Sequence, residues 1–338
     1  MSIVTLTMNP AIDLATSTPR LVPIDKMRCT TPRLDPGGGG INVARTAAVL
    51  GETVTAMFPA GGHTGRLLEQ LVAEAGISMR LVPVAGLTRE NISVTDMSSG
   101  AQYRFVFPGV ALDADEQLRC LDEVEEIACG ARFLVVSGSL PSGVAPDFFQ
   151  RLADRAASWT ARLVVDTSGA ALRALRGGVY LLKPSVRELG DCVGRPLRDR
   201  DEQIAAARQL ITEGVARIVV VSLGAEGALA VTEGSAEWFA PIREPVISGI
   251  GAGDAMVGGI TVGLSRGLGL SAAVRLGIAA ATAALGTPGT APGRPEHIDE
   301  LYRRLDGRAA PETDGSKVDS TDYLWDSPSG TASVTLDR

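Results

Sequence analysis

At residues 249–259 the chain reads GIGAGDAMVGG: alternating glycines, one acid, then a small apolar run. Glycines ahead of a helix leave N–H groups without intrahelical partners at the positive end of the helix dipole, which stabilises negative charge. An ionised Asp254 in that setting can take a proton from a hydroxyl. The backbone N–H groups of Gly251, Ala252 and Gly253 can meanwhile hold the charge that develops on a transferred phosphoryl group. Gly251 and Gly253 let the backbone approach such a group closely. The same residues also suit an aspartate N-cap on a small-residue helix, and the stretch alone supports both readings. It is not a Walker A loop, because GxxxxGK[ST] occurs nowhere in the sequence, which excludes a P-loop NTPase.

Two further stretches invite a ligand. PGGGGINVAR at residues 36–45 sets four glycines before a helix, with Asn42 in its first turn. Taken alone, four glycines fit a flexible hinge better than a binding loop. In VVVSLGAEGALAV a strand runs into a turn at Ser222, Gly224 and Gly227 and then re-enters a strand. Such a turn can wrap a nucleotide, although most turns of this composition are only turns.

The elements that must position these residues alternate along the chain. IVTLTM, TVTAMFPAG, MRLVPV, ARFLVVSGSL, ARLVVDTSG, YLLKPS and ARIVVVSLG read as strands. They are apolar nearly throughout, as strands of a parallel sheet buried on both faces must be. Alanine- and leucine-rich helical runs such as TGRLLEQLVAEAG, PDFFQRLADRAASW and RDEQIAAARQLITEG separate them. The pattern predicts a doubly wound α/β fold with a mainly parallel sheet and helices on both faces.

Two segments break the alternation, Leu14 to Pro36 with its four prolines and Glu90 to Pro108. The second reads as a β-hairpin turning at Ser98–Gly100, with Tyr103, Phe105 and Phe107 on one face and Arg104 on the other. Together they predict a small β-sheet lid whose apolar face packs against a second subunit. An ordinary surface hairpin on a monomer is the alternative. The folded domain is expected to span residues 1–305. The Asp-, Ser-, Gly- and Pro-rich stretch 306–338 is expected to be a disordered tail in which Tyr323 to Trp325 docks locally.

Bulk properties narrow the function. With 45% hydrophobic and 21% charged residues, the 338-residue chain has an ordinary globular composition. A formal net charge of −7 argues against nucleic acid as a partner. Four cysteines without metal-type pairing and only two histidines argue against a zinc site and for a reducing compartment. The N-terminus lacks the basic and apolar regions of a signal peptide, and no run approaches the ~20 apolar residues of a membrane span. These readings predict a cytoplasmic protein with no membrane partner.

GAGD near the C-terminus, GGGGINVAR near the N-terminus, and LKPSVREL and VVSLGAEGAL between them occur in an order that resembles the PfkB (ribokinase-like) carbohydrate kinases over residues 1 to 305. LTMNPAIDLA, PIDKMRC, LTRENISV and QYRFVFPG resemble the bacterial type-II 6-phosphofructokinase branch. In relatives acting on fructose 1-phosphate or tagatose 6-phosphate a lysine typically stands in the glycine segment, where this chain has Gly38 or Gly39.

The resemblance implies ATP-dependent, Mg²⁺-requiring transfer of a phosphoryl group to the 1-hydroxyl of fructose 6-phosphate, giving fructose 1,6-bisphosphate. Tagatose 6-phosphate or fructose 1-phosphate kinases, and a non-catalytic sugar-phosphate sensor, are the alternatives. It further implies roles for individual residues. Asp254 is the base, with Gly251, Ala252 and Gly253 as the anion hole. Asp13, Gly38, Gly39 and Asn42 hold sugar hydroxyls, Ser139 lines the sugar pocket, and Arg89 and Arg104 bind the resident phosphate. Lys26 reaches a site shared with the partner of a homodimer. Ser222, Gly224 and Gly227 form the ATP turn, with Lys183 as an added phosphate contact. Glu188 organises Mg²⁺ through water, and Ser185 stands where the family has asparagine. Backbone carbonyls of Ser248, Ile250 and Gly289 are the expected ligands of a monovalent cation such as K⁺.

Overall fold

Strands sandwiched between helical layers must be apolar on both faces, and the chain supplies them. Ile3–Leu6 (β1), Val54–Ala60 (β4) and Phe133–Ser137 (β8) are buried at every position. In the computed structural model, which describes residues 2–307, they join Ser78–Pro83 (β5), Arg162–Asp166 (β9), Val179–Leu182 (β10), Ala216–Ser222 (β11), Ala228–Val231 (β12) and Ala236–Phe239 (β13). The resulting nine-stranded sheet runs β13-β12-β11-β10-β9-β8-β1-β4-β5. Its strands pair in parallel from β5 to β11, and β12 and β13 close one edge as an antiparallel meander.

Helices cover both faces, as the alternating sequence predicts. Gly39–Val49 (α1), Gly62–Glu74 (α2), Ala252–Ser265 (α8), Leu270–Leu285 (α9) and Pro295–Asp306 (α10) share one apolar core. Ala114–Ala128 (α3), Phe148–Ala156 (α4), Gly169–Arg173 (α5), Val186–Val193 (α6) and Arg200–Thr212 (α7) share the other. The expected disordered tail, with Tyr323 to Trp325, lies outside the described residues.

The two central helices can approach closely only because their facing residues are small. A Cβ on Gly259 of α8 would stand 2.7 Å from the Leu276 carbonyl oxygen and 2.8 Å from the Gly277 Cα of α9. One on Gly277 would stand 2.7 Å from the Met256 carbonyl oxygen. This packing holds the start of α8, and so Asp254, in register with the sheet.

A second sheet of four strands, in the order β3-β2-β6-β7, joins Arg33–Gly37 (β3), Ala11–Thr18 (β2), Arg89–Asp96 (β6) and Gln102–Val106 (β7). It begins at Ala11 rather than at Leu14, because Ala11 to Asp13 pair with Arg89 to Asn91. The hairpin between β6 and β7 turns where the Asp96 carboxylate accepts from the Ser98 N–H and hydroxyl and Gly100 takes a φ of 71°. Register sorts the faces. Asp13 lies opposite Asp35 and Asn91, and Ser93 opposite Arg104, so these polar residues share one side. Leu14 lies opposite Leu34 and Ile92, and Phe105 and Tyr103 oppose Ile92 and Val94 on the other side. Tyr103, Phe105 and Phe107 remain 43%, 48% and 47% exposed in the single chain.

Overpacking the α8–α9 contact is expected to destabilise the fold. Gly259→Leu should cost about 1–3 kcal/mol and lower the melting temperature by roughly 2–5 °C. Gly234→Ala, at a turn where a Cβ meets open space, should leave the melting curve unchanged.

Candidate active site

Ligands in doubly wound folds bind beyond the carboxyl ends of the strands, where the strand order reverses. Here the reversal lies at β1, whose neighbours β4 and β8 are reached by connections running in opposite directions along the sheet. Ser137 ends β8, Asp166 ends β9, Lys183 follows β10 and Ser222 ends β11. The N-termini of α1 and α8 face the same region.

Asp254 is not the N-cap of α8. That position is Gly251, with a φ of 80° that favours glycine, and no side chain caps the helix. Asp254 stands in the first turn instead, and its carboxylate is held from two sides. Asn42 Nδ2 donates to Oδ2 at 3.0 Å, and Ser137 Oγ donates to Oδ1 at 3.1 Å. Loss of hydration, reinforced by the nearby charge of Asp166, pushes the Asp254 pKa up to about 7, against the pull of these two hydrogen bonds and of Lys183. A carboxylate so tuned can accept and release a proton near neutral pH. The first-turn N–H groups beside it have no intrahelical acceptors. A Cβ on Gly253 would meet only the Lys183 ammonium, at 3.7 Å, which leaves that turn open.

Lys183 is not a solvated strand-end lysine. It is 5% exposed and pairs with Asp166 Oδ1 at 3.1 Å. Burial disfavours its charge, but Asp166, Glu188 and Asp254 outweigh burial and raise its pKa above the ordinary lysine value. Ser185 and Glu188 form a reciprocal capping box at the start of α6. Glu188 Oε2 accepts from the Ser185 N–H and hydroxyl, both at 2.8 Å, and the Glu188 N–H donates to Ser185 Oγ at 3.3 Å. Serine and asparagine are comparable N-caps, so Ser185 meets the backbone requirement of this position. Ser222 bridges to Ser185, and its N–H donates to the Pro184 carbonyl at 2.9 Å, which joins the two segments proposed for the nucleotide. Gly227 is required by the fold itself, since a Cβ there would strike the Phe239 carbonyl oxygen at 2.0 Å. Gly224, with φ 60°, borders open space.

Toward the small sheet, Asp13 Oδ1 accepts from Asn91 Nδ2 at 2.8 Å. Burial raises the Asp13 pKa, opposed by the Asn91 hydrogen bond and the charges of Arg104 and Arg89. The run of glycines is no hinge. A Cβ on Gly37 would meet the Asp13 carboxylate at 2.3 Å, one on Gly38 the Thr7 methyl at 2.5 Å, and one on Gly39 the Ser137 hydroxyl at 2.3 Å. These close approaches set the Asp13 carboxylate and the Ser137 hydroxyl against the same short run of glycines. Arg89 is partly committed, donating from Nη1 to the Phe107 carbonyl and from Nη2 to the Asn9 carbonyl, both at 2.9 Å, while its buried Nε has no partner. Arg104 is exposed, and Ser139 accepts from Asn9 Nδ2 at 3.1 Å. Lys26 is not gathered with the others. It lies in the exposed segment between β2 and β3, and no ion pair holds it among the described residues.

Near the start of α8, Ser248 Oγ donates to the Gly289 carbonyl at 2.9 Å and accepts from the Ile250 N–H at 3.2 Å, so the three expected cation residues adjoin one another. The motifs give no role to Ser137, Asp166, Asn91 or the buried Asp35–Arg45 pair. Ser137 and Asp166 could have been found from their position, as the polar residues that end two apolar strands. Among the described residues, no three His, Cys, Asp or Glu side chains are arranged so as to hold a metal ion directly.

Residues 3–297 match the profile described as pfkB family carbohydrate kinase. The chain is 50% identical over 323 residues to the ATP-dependent 6-phosphofructokinase isozyme 2 of Mycobacterium tuberculosis, covering 96% of this chain and 93% of that protein. It is 43% identical over 305 residues to the protein of the same name from Escherichia coli, covering 90% and 98%. The crystal structure of phosphofructokinase-2 from Escherichia coli in complex with substrates and products superposes with a TM-score of 0.86 at 42% identity, covering 90% of this chain and all of that one. With a glycine-opened helix start, a carboxylate held beside it and this likeness along nearly its whole length, the chain belongs to the pfkB family of carbohydrate kinases.

Proposed function

We propose that this chain is an ATP-dependent 6-phosphofructokinase, transferring the γ-phosphoryl group of ATP to the 1-hydroxyl of fructose 6-phosphate. The observation that carries the reading is Asp254, raised to about 7 and held by Asn42 and Ser137 beside the open first turn of α8. The intact base and anion hole argue against a non-catalytic sensor. Glycine rather than lysine at residues 38 and 39 favours fructose 6-phosphate over fructose 1-phosphate or tagatose 6-phosphate. A coupled ADP-release assay against a panel of sugar phosphates and free sugars tests the assignment, and fructose 6-phosphate should give the highest kcat/KM.

In this reading Asp254 takes the hydroxyl proton as the oxygen attacks the γ-phosphorus in line. The N–H groups of residues 251–253 receive the charge on the transferred group, and Lys183 adds its own positive charge. Asp13 and Asn42 orient the sugar hydroxyls, Gly38 and Gly39 let the chain approach them, and Ser139 lines the pocket. Arg89 and Arg104 hold the sugar's phosphate with charge-assisted hydrogen bonds. Ser222, Gly224 and Gly227 wrap the nucleotide, with Ser185 beside them.

Mg²⁺ bound with ATP supplies charge neutralisation on the phosphates. Glu188 through water suits it, because the carboxylates of Asp166, Glu188 and Asp254 outnumber the one ammonium of Lys183. We assign a monovalent cation, K⁺, to the carbonyls of Ser248, Ile250 and Gly289, on the ground that the Ser248 hydroxyl ties these segments together.

The small sheet is the lid, and its apolar face supports a homodimer. Tyr103 and Phe105 stand beside Leu14, Leu34 and Ile92 with too little of their own chain to cover them. Two such faces packed together by a two-fold axis would cover both. Lys26, free of contacts to its own site, would then act at the partner's. Four free cysteines fit a reducing, cytoplasmic setting, and no described helix is long and apolar enough to cross a membrane.

Asp254→Asn should lower kcat by about two to four orders of magnitude with little change in either KM. The base must be ionised, so kcat/KM of the parent enzyme should be full above an apparent pKa near 7 and fall about tenfold per pH unit below it. A pH–rate profile checks this limb. Arg104→Ala should raise KM for fructose 6-phosphate roughly 10- to 100-fold, from the loss of a charge-assisted hydrogen bond, and leave KM for ATP nearly unchanged. Phe105→Asp should shift a dimer to monomer in sedimentation, with activity lost in parallel at low protein concentration. A parent chain that is a fully active monomer would overturn the interface.

A further inference from the structure

Arg45 is 6% exposed, and a guanidinium buried to that degree must find partners for its donors. Its two Nη atoms find them on three separate parts of the chain, while the buried Nε has none. Nη1 donates to the Thr290 carbonyl and to Thr290 Oγ1, both at 2.9 Å, and lies 3.4 Å from Asn42 Oδ1 and from the Pro36 carbonyl. Nη2 donates to Asp35 Oδ1 at 3.3 Å. Asp35, 3% exposed on lid strand β3, also accepts from Arg33 Nη2 at 3.0 Å and from the Thr290 N–H at 3.5 Å. One side chain therefore ties the lid, helix α1 and the loop at Thr290.

The contact with Asn42 has a chemical consequence. An amide has an accepting end and a donating end, whereas arginine has donors only. With Oδ1 turned toward Arg45, the amide must turn Nδ2 toward Asp254, as observed. A reversed amide would set its oxygen against the Asp254 carboxylate and its NH₂ against the guanidinium, and both contacts would be repulsive. We propose that Arg45, anchored by Asp35 and Thr290, is a positioning residue that locks the Asn42 amide so that it donates to the catalytic carboxylate. This rests on the reading of Asp254 as the base. Arg45 makes no contact with Asp254. The groups that face that carboxylate are Asn42 from α1, Ser137 from β8, Asp166 from β9 and Lys183 after β10. The influence of Arg45 passes through Asn42 alone.

The test is the pH dependence of kcat in Arg45→Met, in Asn42→Ala and in the double variant. Freeing the Asn42 amide removes one hydrogen bond to the ionised form of Asp254. The acid limb of Arg45→Met should then move up by about one pH unit, with kcat largely regained at high pH and with a smaller change in KM for either substrate. Arg45→Lys, which retains a cationic donor, should return the limb toward its parental position. In the Asn42→Ala background, adding Arg45→Met should move the limb no further. A limb that stays at the parental pH in Arg45→Met, even with a lowered melting temperature, would reduce Arg45 to a structural role and overturn the proposal. A shift that persists in full without Asn42 would also overturn it. If Arg45→Met does not fold, Arg45→Gln, neutral but still able to donate to Thr290, is read by the same criteria. The base reading fails separately: Asp254→Asn would then turn over normally, whatever Arg45 does.

Discussion

Asp254 faces the space at which the free N–H groups of α8 are aimed, and two hydrogen bonds hold it there at the edge of ionisation. Full ionisation would be easy in water, and full burial would neutralise the group. The chain arrives between these limits by withdrawing water from the carboxylate while giving it Asn42 and Ser137 as donors. Each of the two donors comes from a different element, so the tuning depends on the alignment of α1 and β8 with α8.

That alignment explains features that look like sequence idiosyncrasy. Gly39 is small because α1 starts against the Ser137 backbone and hydroxyl, and Gly37 because β3 runs against the Asp13 carboxylate. Gly259 and Gly277 allow α8 and α9 to touch nearly backbone to backbone. Thr7, just after β1, accepts from the Ile41 N–H at 2.9 Å and serves α1 in place of an N-cap side chain, which Gly38 lacks. Close packing thus does what a flexible glycine loop could not, since a catalytic constellation needs fixed geometry.

The two faces of the small sheet differ in chemical character. The polar face carries Asp13, Asn91 and Arg104, and the apolar face carries Tyr103 and Phe105. A shift of one residue in strand register would exchange these faces. The Asp35–Arg45 contact fixes strand β3 to α1 and so helps to hold that register near Asp254.

The alternating apolar strands and helices were enough to read the doubly wound sheet, because burial on both faces leaves a continuous hydrophobic signature. The Asp254 segment and the turn at Ser222 were legible for a similar reason: glycines and a lone acid in a fixed local order mark a special backbone. Asp166, Ser137, Asn91 and Arg45 left no such mark. Each is an ordinary polar residue whose importance comes from neighbours distant in sequence, as Arg45 is from Thr290 across 245 positions. The capping position of Ser185 was local and its substitution visible, but its reciprocal pairing with Glu188 required the start of α6 to be known. Sequence by itself determined which elements form and where the backbone is unusual, because those depend on periodicity and on local conformational freedom. Only the tertiary structure decided which donors face Asp254, why Lys183 is buried and which side of the lid is polar, because hydrogen-bond direction, desolvation and strand register arise when distant segments are brought together.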